Sequence, residues 1–87
     1  MNVTQDAYSR LSKKLADRPD HVAVRILLRD GRVKFRPSTP RPGDEVFCHE
    51  GRVVLVLSEH VAQHFGNRTL DVRPTHAGPR LRFRRRK

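Results

Sequence analysis

Apolar residues near the start of the chain recur at the spacing of an α-helix. They are Tyr8, Leu11 and Leu15, three or four positions apart, and they share one face of a helix predicted over residues 5–17. Thr4 is suited to cap this helix, because its side-chain oxygen can accept a free amide of the first turn. Pro19 predicts its end, since the residue before a proline avoids helical geometry.

From His21 the pattern changes to the strict alternation that is typical of β-strands. The residues on one face are apolar, namely Val22, Val24, Ile26 and Leu28. Asp30 and Gly31 then favour a tight hairpin turn, since glycine accepts the positive φ that this turn demands. A basic strand returns from the turn, and the proline-rich residues 37–44 predict a stiff connector rather than a domain boundary.

The second half of the chain predicts another hairpin, a short helix and two more strands. Strands over residues 45–49 and 52–57 are joined by a Gly51 turn, and the second strand is apolar enough to be covered on both faces. Ser58 is suited to cap a short helix over residues 59–65. Two strands follow over residues 70–73 and 80–84. The residues expected in the core are Ile26, Val53, Val54 or Leu55, Leu57, Val61, Phe65, Leu70, Leu81 and Phe83.

These elements predict a small α+β domain over residues 1–84, followed by a basic tail over residues 85–87. The domain is β-rich, with about six strands in hairpins, an N-terminal helix and one short helix. The chain of 87 residues, with 36% hydrophobic residues and four Phe, fills one modest core rather than an enclosed substrate cavity.

Composition also bears on the location of the protein. No stretch reaches the roughly 18 apolar residues of a membrane span, and the first residues lack the pattern of a secretory signal. The single cysteine, Cys48, excludes an internal disulfide and suits a reducing cytosol. We therefore expect a cytoplasmic protein that does not engage a membrane.

Four short motifs occur in an order that is found in a known domain. They are Pro42-Gly-Asp-Glu-Val-Phe47, Gly51 before Val53-Val-Leu-Val56, Leu70-Asp71, and Leu81-Arg-Phe83. With the order of the predicted helices and strands, they resemble the HesB-like (A-type iron–sulfur carrier) domain from about Thr4 to Phe83. The resemblance implies the fold of that domain and a connection with iron–sulfur cluster assembly.

The chain departs from this family in the cysteines that would hold a cluster. The family's first cysteine lies in a loop after the first strand, where this chain has only Asp30 and Gly31. The family's terminal Cys-Gly-Cys is replaced by residues 80–87, which read Arg-Leu-Arg-Phe-Arg-Arg-Arg-Lys. Cys48 does not stand at a cluster position of the family. Because a cluster needs several thiolates or imidazoles, we expect no cofactor and no metal site.

Positive charge is the remaining chemical signal. The chain carries 19 Lys and Arg against nine Asp and Glu, a formal net charge of +10, and most of its basic residues are Arg. Arginine forks onto phosphate oxygens, and a field of this sign favours polyanions such as nucleic acid. We predict non-catalytic binding of RNA or DNA by these residues: Arg25, Arg29, Arg32, Lys34, Arg36, Arg80, Arg82, Arg84, Arg85, Arg86 and Lys87.

The predicted contacts are with phosphates rather than with bases. Phosphate contacts supply affinity without reading sequence, which suits structured RNA or duplex DNA. Stacking on unpaired bases has little support, because all four Phe are assigned to the core and Tyr8 is the only other aromatic residue. A plainer alternative is that the arginines reflect genomic composition and that the tail is merely solvated.

Other functions fit the sequence less well. The main alternative is a divergent iron–sulfur assembly factor, or an adaptor that docks without holding metal, and the charge also suits an acidic protein partner. His60 and His64 lie one helical turn apart, so a dimer could hold a metal between them. Cys48 is expected to be a small buried side chain that points away from its neighbour His49. No glycine-rich phosphate loop or nucleophile motif is present, so we expect no enzyme. The oligomeric state stays open.

Overall fold

The structure, a computed structural model, describes residues 1–84. This part of the chain forms two β-sheets and two helices. In chain order the elements are β1 (Asn2–Val3), α1 (Gln5–Lys14), β2 (Ala23–Arg29), β3 (Arg32–Ser38), β4 (Glu45–His49), β5 (Arg52–Leu57), α2 (Glu59–His64), β6 (Thr69–Arg73) and β7 (Arg80–Arg84). The predicted α+β fold, with its hairpins, long N-terminal helix and short second helix, is confirmed. The predicted tail, residues 85–87, lies outside the described residues.

The larger sheet contains four strands in the order β3-β2-β5-β4. Strands β2 and β3 form the expected antiparallel hairpin, which runs from the pair Ala23 and Ser38 to the pair Arg29 and Arg32. At its turn, Asp30 has a φ of 50° and Gly31 a φ of 74°. Two successive positive φ values are those of the tight turn that the Asp-Gly pair predicts. Strand β5 then joins the two hairpins by pairing in parallel with β2.

The smaller sheet contains three strands in the order β1-β6-β7. Strands β6 and β7 pair antiparallel, with Leu70 opposite Phe83 and Asp71 opposite Arg82. The two-residue strand β1 lies parallel to β6 and is held there by the Met1 ammonium group, which donates to the Gly66 carbonyl at 3.0 Å. Strand β1 is not predicted from the sequence, because two residues are too few to show an alternating pattern.

Helix α1 packs against both sheets, touching β5 of the larger sheet and β6 and β7 of the smaller one. The Thr4 hydroxyl caps it as predicted, accepting from the Ala7 amide at 3.1 Å. The helix ends at Lys14 rather than at the predicted residue 17, because the chain tightens there into turns such as the one closed by Arg18 N–H donating to the Leu15 carbonyl.

The Arg52 guanidinium fixes the segment that follows α1. It donates to the backbone carbonyls of Leu15, Pro19 and Val22 at 3.3, 2.8 and 3.0 Å. These carbonyls belong to the irregular backbone between α1 and β2, where the Leu15 and Pro19 carbonyls also close backbone turns with Arg18 N–H and Val22 N–H, so Arg52 gives these acceptors a second donor. This arginine is therefore a structural residue that joins β5 to the end of the first helix.

The apolar core lies between the sheets and under both helices. Its largest fully buried side chains are Leu11, Leu15, Ile26, Val54, Leu55, Val56, Leu57, Phe65 and Leu70. The Phe65 ring stacks on Phe83 with 4.1 Å between ring centroids, and this contact joins the end of α2 to β7.

Three of the predicted core residues are only partly buried. Val53 lies beside an irregularity in the β4–β5 pairing, where the register shifts between Phe47 and Cys48. Leu81 and Phe83 lie on β7, which forms an edge of the smaller sheet and is therefore open on one side. The other predicted core residues are buried.

Truncation of Phe65 tests the core. We expect Phe65→Ala to lower the free energy of unfolding by about 3–5 kcal/mol, because it removes a fully buried ring and leaves a cavity under Phe83. The measurement is urea denaturation followed by circular dichroism. The control Val46→Ala changes a side chain on an exposed residue and should cost less than about 0.5 kcal/mol. Equal costs for the two variants would contradict this description of the core.

Candidate polyanion-binding surface

The β2–β3 hairpin places most of its predicted basic residues on one face. The register sets Arg29 opposite Arg32, Lys34 opposite Leu27, and Arg36 opposite Arg25, so these side chains emerge on the same side of the sheet. Four of them are exposed, namely Arg29, Arg32, Lys34 and Arg36. None of these four has a carboxylate within 4.0 Å among residues 1–84.

Arg25 is the exception, because it is buried with only 6% of its surface exposed. Its guanidinium makes two hydrogen bonds to the Asp44 carboxylate at 3.1 and 2.6 Å, and it also donates to the Ser38 hydroxyl and the Thr39 carbonyl. The prediction that Arg25 contributes to an exposed basic face is therefore wrong. Its partners are Ser38, the last residue of β3, and Thr39 and Asp44 of the connector between β3 and β4, which folds over the outer face of the sheet.

Asp44 is the carboxylate that holds this connector in place. The hydrogen bond from Arg25 is the main cause that lowers the pKa of Asp44, and a bond of 2.8 Å from the Arg41 amide contributes. The side chains of Arg25 and Asp44 are 7% and 5% exposed. Because both side chains are buried and bonded to each other, neither is exposed to a ligand in this structure.

Strand β7 forms a second basic region. Arg80, Arg82 and Arg84 are exposed and alternate with the partly buried Leu81 and Phe83, as predicted. The ion pair of Arg84 with Asp71 of β6 was not predicted from the sequence.

Asp71 of β6 partly neutralises the end of β7. Its carboxylate lies 3.2 Å from Arg84 Nε and accepts from the Thr4 hydroxyl at 2.8 Å. The Thr4 bond is the main cause that lowers the pKa of Asp71, and the charges of Arg84 and Arg82 lower it further. Arg84 is thus partly engaged within the protein, whereas Arg80 has no carboxylate within 4.0 Å among residues 1–84. The predicted binding residues Arg85, Arg86 and Lys87 lie outside the described residues.

A cleft of about 470 Å³ lies where β3 and β7 approach α1. Six basic residues line it, namely Arg10 and Lys14 of α1, Arg36 of β3, Arg73 of β6, and Arg80 and Arg82 of β7. Three of the six, Arg10, Lys14 and Arg73, were not expected from the sequence. Val33, Phe35 and Leu81 give it an apolar wall, and none of its described lining residues is acidic. Arg10, Lys14 and Arg73 escaped the sequence analysis because only the packing of α1 between the sheets brings them here.

The thiol and imidazole groups of residues 1–84 do not converge. Cys48 is exposed, which contradicts the expected buried side chain, because β4 is an edge strand and its pairing is irregular at this residue. His49 is partly buried and stacks on Tyr8 with ring centroids 5.1 Å apart, so it points away from Cys48 as predicted. His60 and His64 are exposed on α2. No group of three or more His, Cys, Asp or Glu that could hold a metal occurs within the described residues.

These residues do not fit an iron–sulfur cluster held within one chain. Such a cluster needs several converging thiolates or imidazoles, and the chain has one cysteine.

Among residues 1–84, no helix is long and apolar enough to cross a membrane.

Two solved structures confirm, at the level of the fold, the resemblance to the HesB-like A-type iron–sulfur carriers seen in the sequence. The structure of Escherichia coli SufA, a protein involved in biosynthesis of iron–sulfur clusters, is similar to this chain with a TM-score of 0.74 and 18% sequence identity. The similarity covers 97% of this chain and 83% of SufA. The structure of IscA with a [2Fe–2S] cluster gives a TM-score of 0.62 and 16% identity, covering 97% of this chain and 80% of IscA.

Comparison of the sequence alone adds nothing to these structural similarities. No protein-family model matches the chain, and no match to a curated protein is found. At identities of 18% and 16%, the two structures show a shared fold, and a shared fold does not carry a shared activity with it.

Removal of Asp44 tests the buried ion pair. We expect Asp44→Ala to lower the free energy of unfolding by about 3–5 kcal/mol at pH 7, because Arg25 stays buried without its counter-charge. The folded pKa of Asp44 lies below its ordinary value of 3.8, so its contribution is complete above that value and is lost as the pH falls through the lower folded pKa. The difference between wild type and variant in urea denaturation should therefore shrink below about pH 3.8.

A matched control separates loss of the pair from loss of packing. The double variant Arg25→Met with Asp44→Leu removes both charges and keeps apolar volume, so it should recover much of the stability that Asp44→Ala loses. A cost below about 1 kcal/mol for Asp44→Ala would show that the pair does not hold the connector.

Proposed function

We propose that this protein is a non-catalytic binding module for a polyanion, RNA or DNA, built on a HesB-like scaffold without cluster ligands. The observation that carries the proposal is the surplus of exposed arginine on β3 and β7, which has few carboxylate partners within residues 1–84. Like charges that lie close together repel one another, and a phosphate backbone relieves that repulsion. Arginine also matches phosphate oxygens with two parallel hydrogen bonds.

The roles of the described acidic residues support a binding function rather than a catalytic one. Asp44 and Asp71 are the carboxylates with a lowered pKa, and each is committed to hydrogen bonds that hold the fold, from Arg25 and from Thr4. A general base needs a pKa near the working pH, whereas the pKa of each of these two carboxylates is lowered. A cytoplasmic location is part of the proposal, since an exposed free thiol suits a reducing compartment.

The second candidate is an adaptor in iron–sulfur cluster assembly that docks on the assembly machinery without holding metal. It is favoured by the fold shared with SufA, which is involved in biosynthesis of iron–sulfur clusters, and with IscA, whose structure contains a [2Fe–2S] cluster. In that case the basic surface would meet an acidic protein partner. A metal-binding dimer through His60 and His64 has less support, because both imidazoles are exposed and no described carboxylate or thiol joins them in a cluster of three.

Salt dependence of binding tests the main proposal. We expect wild-type protein to bind duplex DNA and structured RNA more tightly than about 10⁻⁴ M, with log K falling linearly as log salt rises. Removal of residues 85–87 deletes three positive charges. If each neutralises one phosphate, the slope should flatten by up to about 3 units, at roughly 0.9 per contact. The measurement is fluorescence anisotropy at several salt concentrations. Failure of both nucleic acids to bind more tightly than about 10⁻⁴ M would reject the proposal and favour the adaptor.

Reconstitution with iron and sulfide tests the absence of cluster chemistry. Under anaerobic conditions we expect the protein to stay colourless, because Cys48 is exposed and has no converging thiolates within the described residues. The variant Cys48→Ser should retain the fold and the nucleic-acid affinity of the wild type. A stoichiometric visible chromophore that disappears in Cys48→Ser would show instead that two or more chains share a cluster.

A further inference from the structure

We infer that the cleft between β3, β7 and α1 takes a single strand of nucleic acid, with phosphates on its arginines and a base or sugar against its apolar wall. The inference rests on the proposed function and names the form of the ligand and the place where it binds. It also adds Arg10, Lys14 and Arg73 to the residues that the sequence indicated.

Charge is the first argument. The six basic residues of the cleft come from both sheets and from α1, and the cleft has no acidic residue among its described lining. Six cations around one cleft favour an anion of several charges.

Shape is the second argument. A volume of about 470 Å³ is that of a small-molecule pocket, large enough for one or two nucleotides. A duplex is stiff over roughly 150 base pairs and keeps its bases inside, so only the phosphates of its outer surface could meet the rim of this cleft. A single strand is flexible and can place both phosphate and base inside.

The apolar wall is the third argument. Val33 is 37% exposed, although it lies on the face of β3 that points toward the core. Phe35 and Leu81 are partly buried, pack against the core and line the cleft with their remaining surface. Aromatic and apolar side chains beside cations are the arrangement that single-strand binders use, with bases stacked on the aromatic rings. Phe35, which is expected only in the core from the sequence, is therefore available for contact with a base.

The asymmetry of the cleft supports one strand rather than a free phosphate. One wall is β3, which contributes Phe35 and Arg36. The other wall is β7, where Arg80 and Arg82 lie two residues apart with Leu81 between them in sequence. Alternate residues of a strand are about 7 Å apart, so the two arginines of β7 can meet different phosphates of one chain. A single inorganic phosphate would use only part of this surface.

Variants of the cleft test the location of binding. The probes are fluorescein-labelled dodecamers of uridine and of thymidine, with a 12-base-pair duplex for comparison. We expect the single strands to bind more tightly than the duplex, and the pair Arg36→Ala with Arg80→Ala to weaken single-strand binding roughly tenfold or more. The pair Arg18→Ala with Arg41→Ala removes the same charge from exposed positions that lie outside the cleft lining and outside the predicted binding residues, and it should change affinity about threefold or less. Thermal melting monitored by circular dichroism confirms that both double variants fold.

A fluorescent reporter tests the contact with a base. The chain has no tryptophan, so Phe35→Trp introduces a single indole in the cleft wall. We expect the uridine and thymidine dodecamers to quench its emission, whereas inorganic polyphosphate, which offers charge without bases, should bind with little quenching. Equal quenching by the two dodecamers would assign the site to single strands in general. Clearly stronger quenching by the uridine dodecamer would assign it to RNA, and by the thymidine dodecamer to DNA.

The outcomes separate this inference from the proposed function. If all probes bind but the two double variants lose affinity equally, or if polyphosphate quenches as strongly as the dodecamers, the cleft inference is wrong and the proposed function stands. If the duplex binds more tightly than the single strands, the inference is also wrong. If no probe binds, the proposed function itself is wrong.

Discussion

The stacking of Phe65 on Phe83 is the contact on which the arrangement of this surface depends. Phe65 ends the helix that follows the four-stranded sheet, and Phe83 lies on the outer strand of the three-stranded sheet, with 4.1 Å between the ring centroids. The contact ties α2, and the strand β5 that precedes it, to the smaller sheet. Helix α1 packs against both sheets and supplies Arg10 and Lys14 to the basic cleft. The cleft therefore depends on the apolar packing that holds α1, α2 and the two sheets together.

Arginine has two distinct roles in this molecule. Arg25 and Arg52 satisfy a carboxylate and several backbone carbonyls within the fold, and their charges are not offered to a ligand. Other arginines keep their charge at the surface, and among residues 1–84 no carboxylate lies within 4.0 Å of Arg29, Arg32, Arg36 or Arg80. The buried pair of Arg25 and Asp44 cancels within itself and leaves the net charge of +10 unchanged, and six of the basic residues line one cleft.

Local patterns predicted the elements of the fold well. The Asp30-Gly31 turn, the alternation of β2 and the caps at Thr4 and Ser58 depend on neighbouring residues alone, so the sequence contains them. Alternation also placed Arg25 and Arg36 on the same face correctly. Alternation could not show that the proline-rich connector covers Arg25 and leaves Arg36 exposed. That cover depends on Ser38, Thr39 and Asp44, which lie far from Arg25 along the chain. The same limit hid the meeting of Arg10 and Arg73 across the cleft, which depends on where α1 lies between the sheets.

In fold this chain is similar to SufA and IscA, and its described residues form a basic cleft that we propose as the nucleic-acid site. Titration of ¹⁵N-labelled protein with a uridine dodecamer, followed by amide chemical shifts, tests that proposal. We expect the largest shifts at Val33, Phe35 and residues 73–82, with Arg10 and Lys14 also affected, while α2 and β4 change little. Shifts that are concentrated on α2 and on β4 around Cys48, or that are spread evenly over the basic residues, would contradict it.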